Sequence, residues 1–431
     1  MDPFSTDCRF YGSRFEHSIL NASRFVCYDS RVSFSSRFRE LPIRQIAEKS
    51  RQTSPAAVRQ VLSKTACDLP DFPVLLSPAA APHLEELCRR SQQLTQQRFG
   101  KVLRFFAPLY LSNECINNCK YCGFSRDNAI LRVTLGLEEV RREAAALAEQ
   151  GFRNILLVAG EHPKFISNHY LRDCVAMLHK EFPSISLEVG PLEAAEYQAL
   201  VEAGADGLVV YQETYDRAAY AQVHTAGPKR DFDWRLDTAE RAYAAGFRRL
   251  GIGALYGLAD WREEAVSLAH HAEYLLRTCW KAQLTISLPR LRPHAGEFEP
   301  LTHIEDRELV QLLCALRLVF PDVGLVLSTR EPATLRDGLF PIGVTHISAG
   351  SHTEPGGYTG AGKENIHVTQ RGRILPLASG SSEWTIPTKA RTAATGQFRI
   401  ADERSPEEIS KVITRLGYEP VWKDWDFSLT A

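Results

Sequence analysis

The chain has 431 residues, 44% of them hydrophobic, enough to bury a large core in one barrel domain with extensions or in two ordinary domains. Its 51 Lys and Arg balance 52 Asp and Glu to a formal charge of −1 without long basic or acidic runs, which removes support for nucleic acid or a membrane as partner and leaves a small-molecule substrate. Ten cysteines without the regular spacing of a secreted scaffold point to a reducing, cytoplasmic compartment, and no apolar run approaches the roughly twenty residues of a membrane span.

Residues 1–42 are rich in Phe, Arg and Ser and show no helical or strand period. A transit peptide carries such a bias, but Asp2, Asp7, Glu16 and Asp29 are too many acids for one. The segment is therefore left unassigned, as a disordered or wrongly assigned start. Residues 43–104 read as a helical extension with a Pro-rich break, its last helix over 81–99. From residue 105 short runs of Val, Ile and Leu alternate with helical patterns that end at glycine. Strands are predicted over 105–112, 154–160, 186–190, 207–213, 249–255, 284–290, 324–330 and 346–351. Helices over 137–150, 193–203 and 238–245 stop at Gly151, Gly204 and Gly246, the C-cap signal. Eight such units predict an α/β fold, a TIM-type (β/α)8 barrel over 105–352, with its site at the C-terminal ends of the strands. Residues 353–431 form a capping segment, in which Ser405-Pro406-Glu407-Glu408 opens a helix through Leu416.

Directly after the first strand comes Cys115-Ile116-Asn117-Asn118-Cys119-Lys120-Tyr121-Cys122-Gly123-Phe124. Buried cysteines can be simple core packing, and three within eight residues could be part of a zinc knuckle. No second Cys or His pair completes a zinc tetrahedron downstream, whereas three thiolates on one loop leave the fourth corner of a [4Fe–4S] cluster free for an exchangeable ligand. The spacing, with Tyr121 in the aromatic slot before the last cysteine, resembles the signature of the radical SAM superfamily. That resemblance implies a cluster on Cys115, Cys119 and Cys122 whose open iron binds S-adenosyl-L-methionine (SAM), which is cleaved to methionine and a 5′-deoxyadenosyl radical.

Further stretches narrow the resemblance: Pro108-Leu109-Tyr110-Leu111-Ser112-Asn113, Gly160-Glu161-His162-Pro163, Val210-Tyr211-Gln212-Glu213-Thr214-Tyr215 and Gly227-Pro228-Lys229. Others are Trp234-Arg235-Leu236, Pro289-Arg290-Leu291-Arg292-Pro293, Leu327-Ser328-Thr329-Arg330-Glu331, Pro355-Gly356-Gly357-Tyr358 and Pro420-Val421-Trp422-Lys423-Asp424-Trp425-Asp426. From about residue 43 to the end the chain resembles the 2-iminoacetate synthases, the tyrosine lyases of thiamine thiazole synthesis. The resemblance implies cleavage of the Cα–Cβ bond of L-tyrosine to 2-iminoacetate (dehydroglycine) and p-cresol. It also implies thiazole synthase (ThiG) as a protein partner, and an electron donor such as flavodoxin or ferredoxin.

A SAM carboxylate needs a cation, and a guanidinium grips carboxylates in a planar fork. Arg235 is the first candidate, against the alternative of a surface ion pair with Asp237. By resemblance Gln212 and Glu213 reach the ribose hydroxyls, and Glu161 and His162 end the second strand where the SAM ammonium is expected. Gly251-Ile252-Gly253 lies inside a strand and opens no helix, so it is no phosphate loop; at Ile252 it lets adenine approach the backbone. Tyrosine brings a second carboxylate, for which Arg330 and Ser348 are placed, with Arg290 and Arg292 as competitors.

Rival readings are a hydrogenase-maturation tyrosine lyase, a lyase for another aromatic amino acid such as tryptophan, and a non-catalytic metal-binding barrel. The first carries a second cluster near its C-terminus, and this sequence has no cysteine after Cys314.

Overall fold

The computed structural model describes residues 32–296, 298–370, 373–376 and 393–422. Eight parallel strands form a closed ring: β1 (Val102–Ser112), β2 (Asn154–Ala159), β3 (Ser184–Glu188), β4 (Gly207–Val209), β5 (Arg249–Gly253), β6 (Gln283–Ser287), β7 (Gly324–Leu327) and β8 (His346–Ser348). Each pairs with the next, and β8 returns to β1 with Ile347 opposite Phe105. All eight predicted strands are present, so the (β/α)8 barrel read from the sequence is the fold. The apolar runs form strands because both faces are covered: one packs the barrel interior and the other packs against helices such as Leu137–Glu149, Ala194–Glu202 and Thr238–Ala245.

All strands but β1 stop short of the predicted C-terminal limits, and the difference matters for the site. The regular strand β4 ends at Val209, and Glu213, predicted to end it, takes a left-handed φ of 72°. Backbone bonds continue beyond it, Val210 N–H to Gly251 O and Gln212 N–H to Gly253 O, while Tyr211 and Glu213 line the barrel mouth.

β1 is longer than its neighbours, and its first residues carry a ninth strand, β9 (Glu419–Val421), with Leu103 opposite Pro420. The following Trp422 stacks on Phe105 at 4.4 Å between ring centroids and meets Phe152 edge-on. The C-terminal helix Pro406–Arg415 starts at Ser405 as expected, with a reciprocal cap: Glu408 N–H donates to Ser405 Oγ at 3.2 Å, and Ser405 N–H donates to the Glu408 carboxylate at 2.8 Å. Between barrel and helix, residues 393–402 cross the C-terminal face. Gly123 N–H donates to Gln397 O at 3.0 Å, and Asn113 Nδ2 donates to Thr395 O at 3.0 Å.

The N-terminal stretch departs from expectation. Residues 1–31, and the Lys423-Asp424-Trp425-Asp426 end of the last matching stretch, lie outside the described residues. Residues 32–42, left unassigned above, contain the helix Phe34–Phe38. Phe34 is buried, stacked on His271 at 4.3 Å, and its N–H donates to the Glu240 carboxylate at 2.7 Å. Among the described residues no helix is long and apolar enough to cross a membrane.

Candidate active site

The loop after β1 is held by polar groups that the barrel has sealed from water. Arg132, fully buried, donates to the carbonyls of Asn113 at 2.6 Å and Ser125 at 2.8 Å. Asn118 and Cys119 pair antiparallel with residues 224–226. Asn117 Nδ2 donates to the Glu161 carboxylate at 2.6 Å, and Asn117 Oδ1 accepts Lys229 N–H at 2.9 Å. Gly227, at φ 87°, passes so close that a Cβ there would lie 2.3 Å from Asn117 Oδ1, so this crossing requires glycine. These contacts turn Cys115, Cys119 and Cys122 into one cleft, shared with Gly160, Glu161, Glu213, Lys229 and Arg235.

The cleft suits a multi-iron group. Among the described residues no three His, Cys, Asp or Glu side chains close around a single-ion site, and the three thiols are spread around a common space. All three are free, and burial holds each above the ordinary cysteine pKa, with Lys229 pulling Cys119 and Cys122 the other way. A bound cationic cluster would convert them to thiolates. The donor set, three soft sulfurs on one loop with the fourth corner open, fits a [4Fe–4S] cluster.

Opposite the thiols lies a charged triad. Glu213 accepts from Lys229 Nζ at 2.7 Å and lies 3.6 Å from Arg235. Burial alone would raise the Glu213 pKa, but Lys229 and Arg235 hold it below the usual carboxylate range. Arg235 sits in the short helix Phe232–Leu236, with Nε donating to Tyr211 O at 2.8 Å. Asp237 is engaged elsewhere, accepting from Ser35, so the surface-pair alternative for Arg235 does not arise. The triad carries a net positive charge into the thiol cleft.

A second cavity fills the barrel mouth beside the first. Its walls are apolar (Phe106, Leu156, Leu327, Phe398), with polar groups from Tyr110, Glu188, Tyr211, Ser287, Arg330 and Ser348. Arg330 lies over the Phe398 ring, 3.4 Å from its centroid, and makes no ion pair among the described residues. Ser348 Oγ accepts Thr329 N–H at 3.2 Å. Gly253 keeps the wall open, since a Cβ there would come 2.9 Å from the Tyr211 ring and 2.8 Å from Ser287 O. The two cavities share three lining residues: Val158, Glu188 and Gln397.

The geometry brings together Cys115, Cys119, Cys122, Glu161, Glu213 and Arg235 in one cleft and Arg330 and Ser348 in the other. Other expected residues lie aside. Tyr121 is buried behind the loop, its hydroxyl 2.7 Å from His224 Nε2. His162 turns back on its own chain, where Nδ1 accepts from Lys164 N–H at 3.2 Å, and it lines neither cavity. Gln212 has the opposite parity to Tyr211 and Glu213, so it points outward and donates to Phe232 O at 3.3 Å. Ile252 likewise packs its side chain into the main core, leaving only its backbone for an adenine. Arg292 lines neither cavity, and Arg290 is held by Glu331 and Asp306.

Sequence reasoning passed over Glu188, Lys229 and Gln397. Glu188 had one signal, a carboxylate ending an apolar strand. Gln397 had none: it comes from the segment crossing the barrel mouth, where its side chain accepts from Tyr110 OH at 2.8 Å and its Nε2 lies 3.8 Å from Cys122 Sγ.

Comparison with known proteins agrees with this geometry. Residues 109–269 match the radical SAM superfamily, and residues 287–419 match the Biotin and Thiamin Synthesis associated domain. The chain is 40% identical to the 2-iminoacetate synthase of Escherichia coli (strain K12) over 395 residues, 91% of this chain and 97% of that one. It is 39% identical to the enzyme of that name from Salmonella typhimurium, with the same coverage. Among solved structures, the FeFe-hydrogenase maturase HydG from Carboxydothermus hydrogenoformans superposes with a TM-score of 0.76 at 31% identity, covering 90% of this chain and 84% of that one.

Proposed function

The chain belongs to the 2-iminoacetate synthase family of radical SAM enzymes, and from that membership we propose how its own residues divide the work. It is a carbon–carbon lyase that cleaves L-tyrosine to 2-iminoacetate and p-cresol, consuming SAM to 5′-deoxyadenosine and methionine. Cys115, Cys119 and Cys122 hold the cluster, and the Arg235 guanidinium takes the SAM carboxylate, with Lys229 adding charge. Glu161 faces the SAM ammonium and Glu213 the ribose, while the backbone at Ile252 lies along the adenine. When bound, the cluster and SAM would supply the one-electron chemistry that yields a 5′-deoxyadenosyl radical able to abstract hydrogen at the tyrosine amine.

The remaining work is positioning, which can supply a large share of such a barrier when reacting atoms are held in van der Waals contact. Arg330 grips the tyrosine carboxylate as a planar fork, with the Ser348 hydroxyl beside it and Phe398 bracing the guanidinium. The apolar walls receive the ring and exclude water that would divert a radical. Thiazole synthase as recipient of the iminoacetate, and flavodoxin or ferredoxin as electron donor, complete the proposal.

The observation that carries this reading is the meeting of a thiol-lined cleft with an apolar, arginine-bearing cavity at three shared residues. The test is an anaerobic assay of iron- and sulfide-reconstituted protein with SAM, reductant and tyrosine, following 5′-deoxyadenosine and p-cresol by chromatography. Both products are expected. 5′-Deoxyadenosine alone would overturn the substrate, and neither product would overturn the enzyme.

A further inference from the structure

Any reaction run between two cavities places the attacked atom at their junction, and the junction is narrow. Val158, Glu188 and Gln397 are the residues common to both, and Glu188 alone among them ionises. Its carboxylate accepts no hydrogen bond from any described residue, although Glu188 is half-buried at the end of β3 and lines both cavities. An unpartnered carboxylate inside a protein is costly unless something supplies donors. The charged groups that face it are Glu213, Arg330, Lys229 and Arg235, with the Tyr110 and Tyr211 hydroxyls in the same field. Burial first, and then Glu213, raises the Glu188 carboxyl to about 7 against the pull of the three cations. A donor cation placed beside it would therefore be strongly favoured.

An amino-acid zwitterion has a carboxylate and an ammonium on one carbon. Arg330 supplies the cation for the first, and the same cavity wall needs an anion for the second. We propose that Glu188 is the residue that receives the α-ammonium of the substrate, fixing the nitrogen at the junction of the two cavities and making a free amino group the feature by which the site selects its substrate. This rests on the tyrosine reading above and deepens it. Recognition then needs three points: carboxylate on Arg330, nitrogen on Glu188, ring in the apolar pocket. A phenolic acid lacking the amine satisfies only two.

The experiment compares binding of L-tyrosine and of 3-(4-hydroxyphenyl)propionate, which lacks the amine, to cluster-loaded protein with SAM by anaerobic equilibrium dialysis. The wild-type protein is expected to prefer tyrosine by roughly 10- to 100-fold, the range of a charge-assisted hydrogen bond. In Glu188→Gln, an isosteric change, that preference should collapse to about one, and Glu188→Asp, which keeps the charge, should recover part of it. SAM binding measured in parallel should change little. A preference that survives in Glu188→Gln overturns the inference, as does a variant that loses SAM affinity while keeping its preference. Failure of the tyrosine reading looks different: wild-type protein would then make no p-cresol at all, and both would fall together.

Discussion

Arg330 shows how a single residue's surroundings decide its role. Arg290, two residues before Arg292, is consumed by Glu331 and Asp306, whereas Arg330 lies in the apolar barrel-mouth cavity with its guanidinium over the Phe398 face and in no ion pair among the described residues. Arg330→Gln removes a charge-assisted contact of about 1.5–3 kcal/mol. We expect KM for tyrosine to rise roughly 10- to 100-fold, with SAM affinity unchanged; steady-state kinetics with an unaltered KM would return the role to Arg292. The three cysteines, Arg235 and Arg330, which the fold brings to the two cavities, stood out because their chemistry is stated by residue type: soft ligands on a tight spacing, and guanidinium at strand ends. Gln212 and His162 were misplaced for local reasons. One has the wrong parity for the barrel interior, and the other finds nearer partners in its own turn. Glu188 was missed because a lone glutamate after an apolar run also suits a strand emerging into solvent. Only closure of the barrel puts it between two cavities.

At the scale of elements, the eight strands and their glycine-stopped helices were legible since each is a local pattern: an apolar run, then a 3.6-residue period, then a C-cap. The helix Phe34–Phe38 was not, because five residues carry no measurable period and its reason to exist is tertiary. Phe34 fills a slot formed by His271 and Tyr274, and Ser35 and Phe34 N–H groups are tied to Asp237 and Glu240. Thr238–Ala245, which carries Glu240, begins two residues after the helix bearing Arg235 ends. The N-terminal helix thus props the element that presents the Arg235 guanidinium to the thiol cleft. Phe34→Ala should cost about 3–5 kcal/mol, as for other buried phenylalanines. Urea unfolding of the full chain tests this: a loss below about 1 kcal/mol would mean that the slot collapses without consequence.

For the whole molecule, buried titratable groups set opposing dependences of stability on pH. His271 is pushed by burial to about 3, and burial with neighbouring Arg104, Arg249 and Arg317 holds His346 well below its ordinary 6.5. Below pH 6.5 the unfolded chain takes up protons on these histidines that the folded chain refuses, so each removes stability as pH falls, about 1.4 kcal/mol per unit. Glu240 and Glu264 are raised by burial from 4.5 to about 7. Between those values the folded chain keeps protons that the unfolded chain has shed, so each adds stability as pH falls. Glu188, also raised to about 7, and His224, pushed by burial to about 3, behave in the same two ways, so three groups oppose three and stability should be nearly level from pH 4.5 to 6.5. Below 4.5 the carboxyls are protonated in both states and their contribution stops changing, while the histidines go on removing stability. Asp402, whose pKa is lowered below 3.8 because Arg404 and Arg336 outweigh burial, joins them below pH 3.8, where the unfolded chain takes up a proton that the folded carboxylate still refuses. Thermal melts across pH should therefore show a plateau and then a steep acid limb. Glu264→Gln removes one of the three balancing carboxyls and should tilt the plateau, so that stability falls by about 1.4 kcal/mol for each unit of acidification between 6.5 and 4.5. A plateau that stays level in that variant would show that Glu264 is not protonated in the folded chain, and that its hydrogen bonds from Thr214 and the N–H groups of Tyr215 and Asp216 hold it ionised despite burial.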